Sequence, residues 1–437
     1  LTAMFSVVWT MGLLIGAGNT LHIMSSMIPV FLMPIAILDA VHILSEFFDK
    51  YRERGESRVA VMEAMKPLYR PMFMTSLTSG IGFASLALAD IPPVRVFGLF
   101  VAFGIAAAWL LSITLVPAAI SLTSEERLRK AILSKKTDEG SAFDRVLRPL
   151  GRFTYARAHI VILVAIGAIA LGVMGLMRIE VNDNPVRWFR PRHPLRVADR
   201  VMNEAFGGTY MADIVLESGR PERMRNPEVL TYLAGAQEHL ESHATVGKTS
   251  SVADIVKRIH LVLFDNDPAY DTIPDSSAAV GNFLFLFESS GGPGDLARFL
   301  NADGSKAHVW VQMKAGDNSL MQEVVAHMDA YVAANPLPEG VSLHWSGMTY
   351  INMVWQGLMV SGMLKAVLGS FAVVFILMLI EFRSLFLALL SMIPLTLAIL
   401  LSYGLIGWAG KEYDMPIAVC SSLALGLAID FAIHFLH

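Results

Sequence analysis

One cysteine, Cys420, is all that the 437 residues contain, and it falls inside an apolar segment. No disulfide framework is available, so any part outside a membrane must be held by its own core. Charge is scarce too: 16% of residues are charged against 54% hydrophobic, with a net charge of -4. A clustered basic face is missing, and with it the case for a nucleic-acid partner. The twelve histidines are scattered and make no ligand cluster with cysteine, so no metal is expected. Without a Gly-rich phosphate loop, the energy source is expected to be an ion gradient and not ATP, and no cofactor is expected.

What is there is hydrocarbon. The mean hydropathy of +0.53 lies well outside the range of soluble globular proteins. Spans of about 20 apolar residues can be placed at 1 to 17, 23 to 47, 71 to 89, 96 to 121, 159 to 177, 363 to 380, 385 to 408 and 415 to 437, eight in all. Lys365 near the end of the sixth is expected to snorkel to the headgroups. The chain starts inside an apolar run at Leu1 and stops just after another at His437, and so reads as a fragment.

Sidedness follows from the cations. The loops 48 to 70 and 122 to 158, with the turn at Arg383, carry 16 Lys and Arg, whereas the opposite short loops hold only Arg95 and Lys411. The first set is expected on the cytoplasmic side. The 48 to 70 stretch reads as a solvated connector with amphipathic helical character. The large polar block from 179 to 352 then lies outside. Within it, Ala212 to Glu217, Lys306 to Lys314 and Val341 to Ser346 read as strands, and Asn226 to His243 and Asn318 to Ala334 as helices. That order predicts an inserted α/β domain of split β-α-β type. Thr249 to Gly294 gives no clear period.

A ten-residue pattern occurs twice. Ile35 to Leu44 contains Asp39 and His42, and Leu427 to Leu436 contains Asp430 and His434. Sliding the chain by 392 residues aligns Gly12 to Leu44 with Gly404 to Leu436 without a gap, with nine identities over 33 positions. The sidedness above runs both motif helices in the same sense, so the repeat is parallel. Ionisable groups in membrane helices cost a few kcal/mol on insertion scales and are functional candidates by default.

Several runs resemble the resistance-nodulation-division (RND) superfamily, and its MMPL-like exporters in particular. They are Pro71 to Leu86, Pro92 to Leu99 with Leu115 to Ala118, Glu381 to Leu385, and His193-Pro194 with Phe206 to Gly208. The resemblance implies that residues 1–121 are helices three to six, 122–158 a cytoplasmic linker and 159–178 helix seven. It makes 179–352 a porter-like extracytoplasmic domain and 353–437 helices eight to ten. The fold class is thus a membrane α-helical bundle with an inserted extracytoplasmic α/β domain. The implied function is proton-motive-force-driven export of hydrophobic or lipid-like substrates across a bacterial inner membrane, with protons and membrane lipids as partners. A homo-oligomer or a periplasmic partner remains open.

By the same resemblance Asp39 and Asp430 exchange protons, with His42 and His434 as relay candidates. The hydroxyls of Thr75, Ser76, Thr78 and Ser79 would line a wet path. The plainer reading is a neutral, hydrogen-bonded acid that serves only packing, histidines at an interface, and small hydroxyls where helices approach closely. Asp430 stands four residues before His434 but Asp39 only three before His42, a shift that turns the first carboxylate by about 100°. Asp39 is therefore either a differently placed site or a vestigial one. A Patched-like or sterol-sensing receptor and a protein-translocation accessory share the helix plan. An intramembrane aspartyl protease is disfavoured, because Gly426-Leu427-Ala428-Ile429-Asp430 lacks the Gly-x-Gly-Asp pattern.

Overall fold

A computed structural model describes residues 1–128, 142–182, 184–291, 294–413 and 417. The chain divides into two units, Leu1–Glu180 with Leu358–His437, and Val181–Gly357.

The first unit is helical. Its elements are α1 (Thr2–Gly16), the short α2 (Ile23–Ser26), α3 (Ile28–Arg54), α4 (Ser57–Ala84), α5 (Pro92–Ser121), α6 (Ala142–Ala156) and α7 (Ala158–Leu176). Six described helical stretches are long and apolar enough to cross a membrane, and Thr2–Gly16 is a shorter apolar helix. The eighth expected span, 415 to 437, lies outside the described residues apart from Ile417. The 48 to 70 stretch, read as a solvated connector with amphipathic helical character, is helix on both sides of residues 55 and 56. Gly55, at φ 71, ends α3 in a left-handed cap, with Arg52 and Arg54 in the last turn where the helix dipole favours cations. Ser57 starts α4 two residues later, and α4 runs on through Pro67 and Pro71. The polar pattern marks the part of each helix beyond the apolar span.

The helix α3 buries one stripe. On α3, Leu32, Ala36, Asp39, Ile43 and Phe47 are buried, while Val30, Met33, Ile37, Val41 and Leu44 are exposed on the other face. An exposed aliphatic stripe of that length suits lipid and not water. Phe31, Phe83 and Phe97, from α3, α4 and α5, meet edge to face with centroids 5.6 to 6.2 Å apart. Edge-to-face rings add to the burial of such a cluster.

The second unit is the inserted α/β domain. After α8 (Pro194–Ala205) it contains β1 (Tyr210–Ser218), α9 (Pro227–Glu241), β2 (Val246–Ser250), α10 (Val252–Leu263), α11 (Ser277–Ser290), β3 (Lys306–Met313), α12 (Asn318–Ala334) and β4 (Val341–Ser346). The sheet order is β2-β3-β1-β4, with every neighbouring pair antiparallel. That is the split β-α-β arrangement the strand and helix order predicted. Alternation decides which face is the core: Ala212, Ile214 and Leu216 of β1 and Val309, Val311 and Met313 of β3 pack under Leu233 of α9 and Val324 and Met328 of α12. The unread stretch holds α10 and α11, inserted between β2 and β3. A start signal was present at 251 to 254: the Ser251 amide donates to Asp254 Oδ2 at 2.7 Å, and Ser251 Oγ accepts from the Ala253 amide at 3.0 Å.

On the outer face of the sheet His308 Nε2 lies 3.2 Å from Asp213 Oδ1. The hydrogen bond to Asp213 raises the histidine pKa, opposed by burial and helped by the Arg298 carbonyl at Nδ1. A folded value above the unfolded one of about 6.5 stabilises the domain fully below that value, and the contribution fades as pH rises through the folded value. Denaturation midpoints are therefore expected to fall between pH 5.5 and 8, and His308→Gln should remove that part of the slope. An unchanged slope in the variant would assign the pH dependence elsewhere.

Candidate functional site

Asp39 sits in the buried stripe of α3, 6% exposed, and His42 is half-buried one turn on. Because α3 and α4 are joined by a two-residue turn, they run antiparallel. Phe31 stands against Phe83, and Arg54 against Glu63 at 2.9 Å. Asp39 is eight residues in from the first rung and fifteen from the second, which sets it at the height of Thr75 to Thr78. Thr75, Ser76, Thr78 and Ser79 are themselves buried. The Thr75 hydroxyl donates to the Met72 carbonyl at 3.0 Å, and that of Thr78 to the Met74 carbonyl at 2.9 Å. Both hydroxyls therefore spend their protons on their own helix and keep lone pairs for a water or a proton donor. Asp430 and His434 lie outside the described residues.

The long helix α13 (Met348–Phe382) lines the other side of α4. Lys365, expected only to reach headgroups, pairs with Asp90 at 3.5 Å. One step further along, the Ser370 and Ser85 hydroxyls are bonded. Met74 then packs with Val374 and Met378, and Arg70 meets Glu381 at 2.8 Å. The Glu381 side chain, in the sequence only the start of the Glu381 to Leu385 run, is 6% exposed while that of Arg70 is 67% exposed. This pair of a buried carboxylate and a solvated cation ties α13 to α4. The hydroxyl-bearing turns of α4 thus lie on a helix that packs against both α3 and α13.

The α/β unit has a second polar centre that the sequence did not reveal. Asp317, 2% exposed, accepts from Asn182 Nδ2 at 3.0 Å and Asn184 Nδ2 at 3.3 Å, and pairs with Arg187 at 2.9 Å. The Asn318 amide donates to Asn182 Oδ1 at 3.0 Å, and the Asn318 side chain donates to the buried Gln356. Asn182 and Gln356 lie at opposite ends of the unit's chain, so one network closes both ends on the start of α12. Asp317→Ala is expected to cost about 2 to 4 kcal/mol, since it leaves buried amides unmatched while Arg187 can turn to water. An unchanged denaturation midpoint would show that the network adds nothing to stability.

The comparisons with known proteins bear on the family and the fold. Residues 1–137 match the sterol-sensing domain described for SREBP cleavage-activation. Residues 195–436 match the MMPL family. A membrane protein of Methanocaldococcus jannaschii is 25% identical over 264 residues, 59% of this chain and 62% of that protein. Among solved structures, the hedgehog release protein Disp from the water bear Hypsibius dujardini aligns over 94% of this chain and 53% of its own with a TM-score of 0.58. At 14% identity that likeness concerns the fold. The chain therefore spans about 62% and 53% of the lengths of these two proteins. With a membrane bundle, an inserted split β-α-β unit and more than half of its residues matched, the chain belongs to the MMPL family of the resistance-nodulation-division superfamily.

Proposed function

We propose that this chain is part of a proton-driven exporter of hydrophobic or lipid-like substrates, with Asp39 and Asp430 as the proton carriers. The supporting observation is a carboxylate buried in the bundle-facing stripe of α3, at the height of the hydroxyls of α4. Intramembrane acids in such positions mark proton relays. Protonation removes the charge that disfavours a dry environment, and deprotonation restores it, so alternating access to the two sides gives the helices two preferred arrangements. His42 and His434 are proposed as relay groups, and Thr75, Ser76, Thr78 and Ser79 as the lining that orders water. In this reading the 48 to 70 region and the 122 to 158 linker face the cytoplasm, and the α/β unit lies outside, where it carries the substrate.

The complete protein in vesicles tests the reading directly. Export of a fluorescent lipid analogue is expected to follow an imposed proton gradient and to stop when a protonophore collapses it. Gradient-independent export would remove the coupling. A second reading rests on the match of residues 1–137 to a sterol-sensing domain: the first helices bind a sterol-like molecule and report on it. Saturable sterol binding that alters no flux would favour that reading.

A further inference from the structure

We propose that a cavity of about 460 Å³ in the α/β unit binds the anionic head, of phosphodiester type, of an amphiphile, with Arg196, Arg200 and Lys314 as its cationic contacts. The inference deepens the lipid-like substrate reading, on which it rests, by naming the charge and chemistry of the head.

The helix α8 carries the argument. Its polar residues Arg196, Asp199, Arg200 and Asn203, spaced so as to share one face, line the cavity. Its apolar residues Leu195, Val201 and Met202 are 55%, 51% and 44% exposed. A surface helix of a soluble domain normally turns these faces the other way. A helix with its charged face on a cavity and its apolar face outward presents both halves of an amphiphile with a matching surface: the head enters, and the chains lie along Leu195, Val201 and Met202.

The charge balance selects the sign of the head. Asp317 is already held by Arg187, Asn182 and Asn184. Asp199 accepts from Asn203 at 3.1 Å and from the Thr209 hydroxyl at 3.0 Å. By contrast, Arg196, Arg200 and Lys314 make no ion pair among the described residues. Arg196 donates only to the Phe189 carbonyl at 3.2 Å, and Lys314 to the Ala244 carbonyl at 3.3 Å. Two guanidinium groups one turn apart are fitted to paired donation toward phosphate oxygens. Tyr210, whose pKa burial pushes up to about 12, also lines the wall, with its hydroxyl hydrogen-bonded to Asn184 and Asp199. Glu204 also lines the cavity, which disfavours heads of higher negative charge.

Binding to the complete protein in a neutral detergent distinguishes the sources of the anion. Dihexanoylphosphatidylglycerol is expected to bind saturably and at least about tenfold more tightly than dihexanoylglycerol, which lacks the charge, or inorganic phosphate, which lacks the chains. Arg196→Gln with Arg200→Gln should lose about tenfold for the phospholipid, and the paired Lys substitutions, which keep the charge, should retain most of the affinity. The proposal is overturned if the Gln pair binds like the parent, if the Lys pair is as weak as the Gln pair, or if either simpler probe binds as tightly as the phospholipid. Asp39→Asn should bind in full. Loss of export with binding intact then bears on proton coupling and leaves the head site standing.

Discussion

Asp430→Asn in the complete protein is expected to abolish proton-driven export, a loss of at least about 100-fold, or about 2.7 kcal/mol in barrier terms, while leaving insertion and folding unchanged. Asparagine keeps the volume and the hydrogen-bonding capacity of the acid but cannot carry a proton, so the substitution separates coupling from packing. The driving term at stake is about 2.3 kcal/mol for each proton crossing 100 mV, before any pH gradient is counted. Asp39→Asn is expected to be milder. Its carboxylate precedes the motif histidine by three residues instead of four, which turns it about 100° from the position of its repeat partner. Initial rates of gradient-driven export from vesicles, normalised to inserted protein, measure both. A rate for Asp430→Asn equal to that of the parent would leave the shared architecture standing and remove Asp430 from the proton path. Equal losses at both positions would show that the register shift does not matter to the chemistry.

The second large effect is structural. The final described helix, α14 (Leu385–Trp408), packs on α7 through Gly172, Gly175, Gly404 and Gly407. A Cβ on Gly175 would overlap the Gly404 carbonyl, and one on Gly407 would overlap that of Gly175. At Gly172 a Cβ would come within 2.9 Å of the Leu400 carbonyl oxygen. The Trp408 indole closes the seam by donating to the Leu171 carbonyl at 3.0 Å, with the Arg178 guanidinium 4.0 Å above its ring. Membrane helices gain little from hydrophobicity against one another, so close backbone approach through small residues holds them together. Gly175→Leu is therefore expected to cost about 1 to 3 kcal/mol or to part the helices. Gly167→Leu is the matched control, since a Cβ there meets nothing within 4 Å. Thermal midpoints in detergent make the comparison, and equal midpoints for the two variants would show that the seam does not hold the helices together.

Much of the fold could be read from the chain because its causes are local. Twenty apolar residues in a row declare a span wherever they occur. Val309, Val311 and Met313 declare a strand face by their spacing alone, and Asn318–Ala334 and Val341–Ser346 carry the bounds that the sequence pattern gave them. β2 escaped notice because Val246-Gly247-Lys248-Thr249-Ser250 offers one large apolar side chain and pairs through a register shift. Across 48 to 70 the amphipathic character is legible, but the polar residues alone do not separate a solvated helix from a loop, since they look the same on both.

The candidate site was legible to a lesser degree. A carboxylate in an apolar helix is visible in one dimension, and so is its repetition 392 residues later. Whether that carboxylate faces lipid or protein depends on which side of α3 meets α4 and α5, and the tertiary structure placed Asp39 inward. The sequence by itself determined the membrane class, the α/β insertion and the identity of the acids, since composition and periodicity act through near neighbours. Only the tertiary structure decided that Asp39 shares a height with Thr75, that Glu381 ties α13 to α4, and that Asp317 closes on Asn182 across 135 residues of chain. Contacts of that range depend on how whole helices and strands dock, and nothing in the residues near either partner encodes it alone.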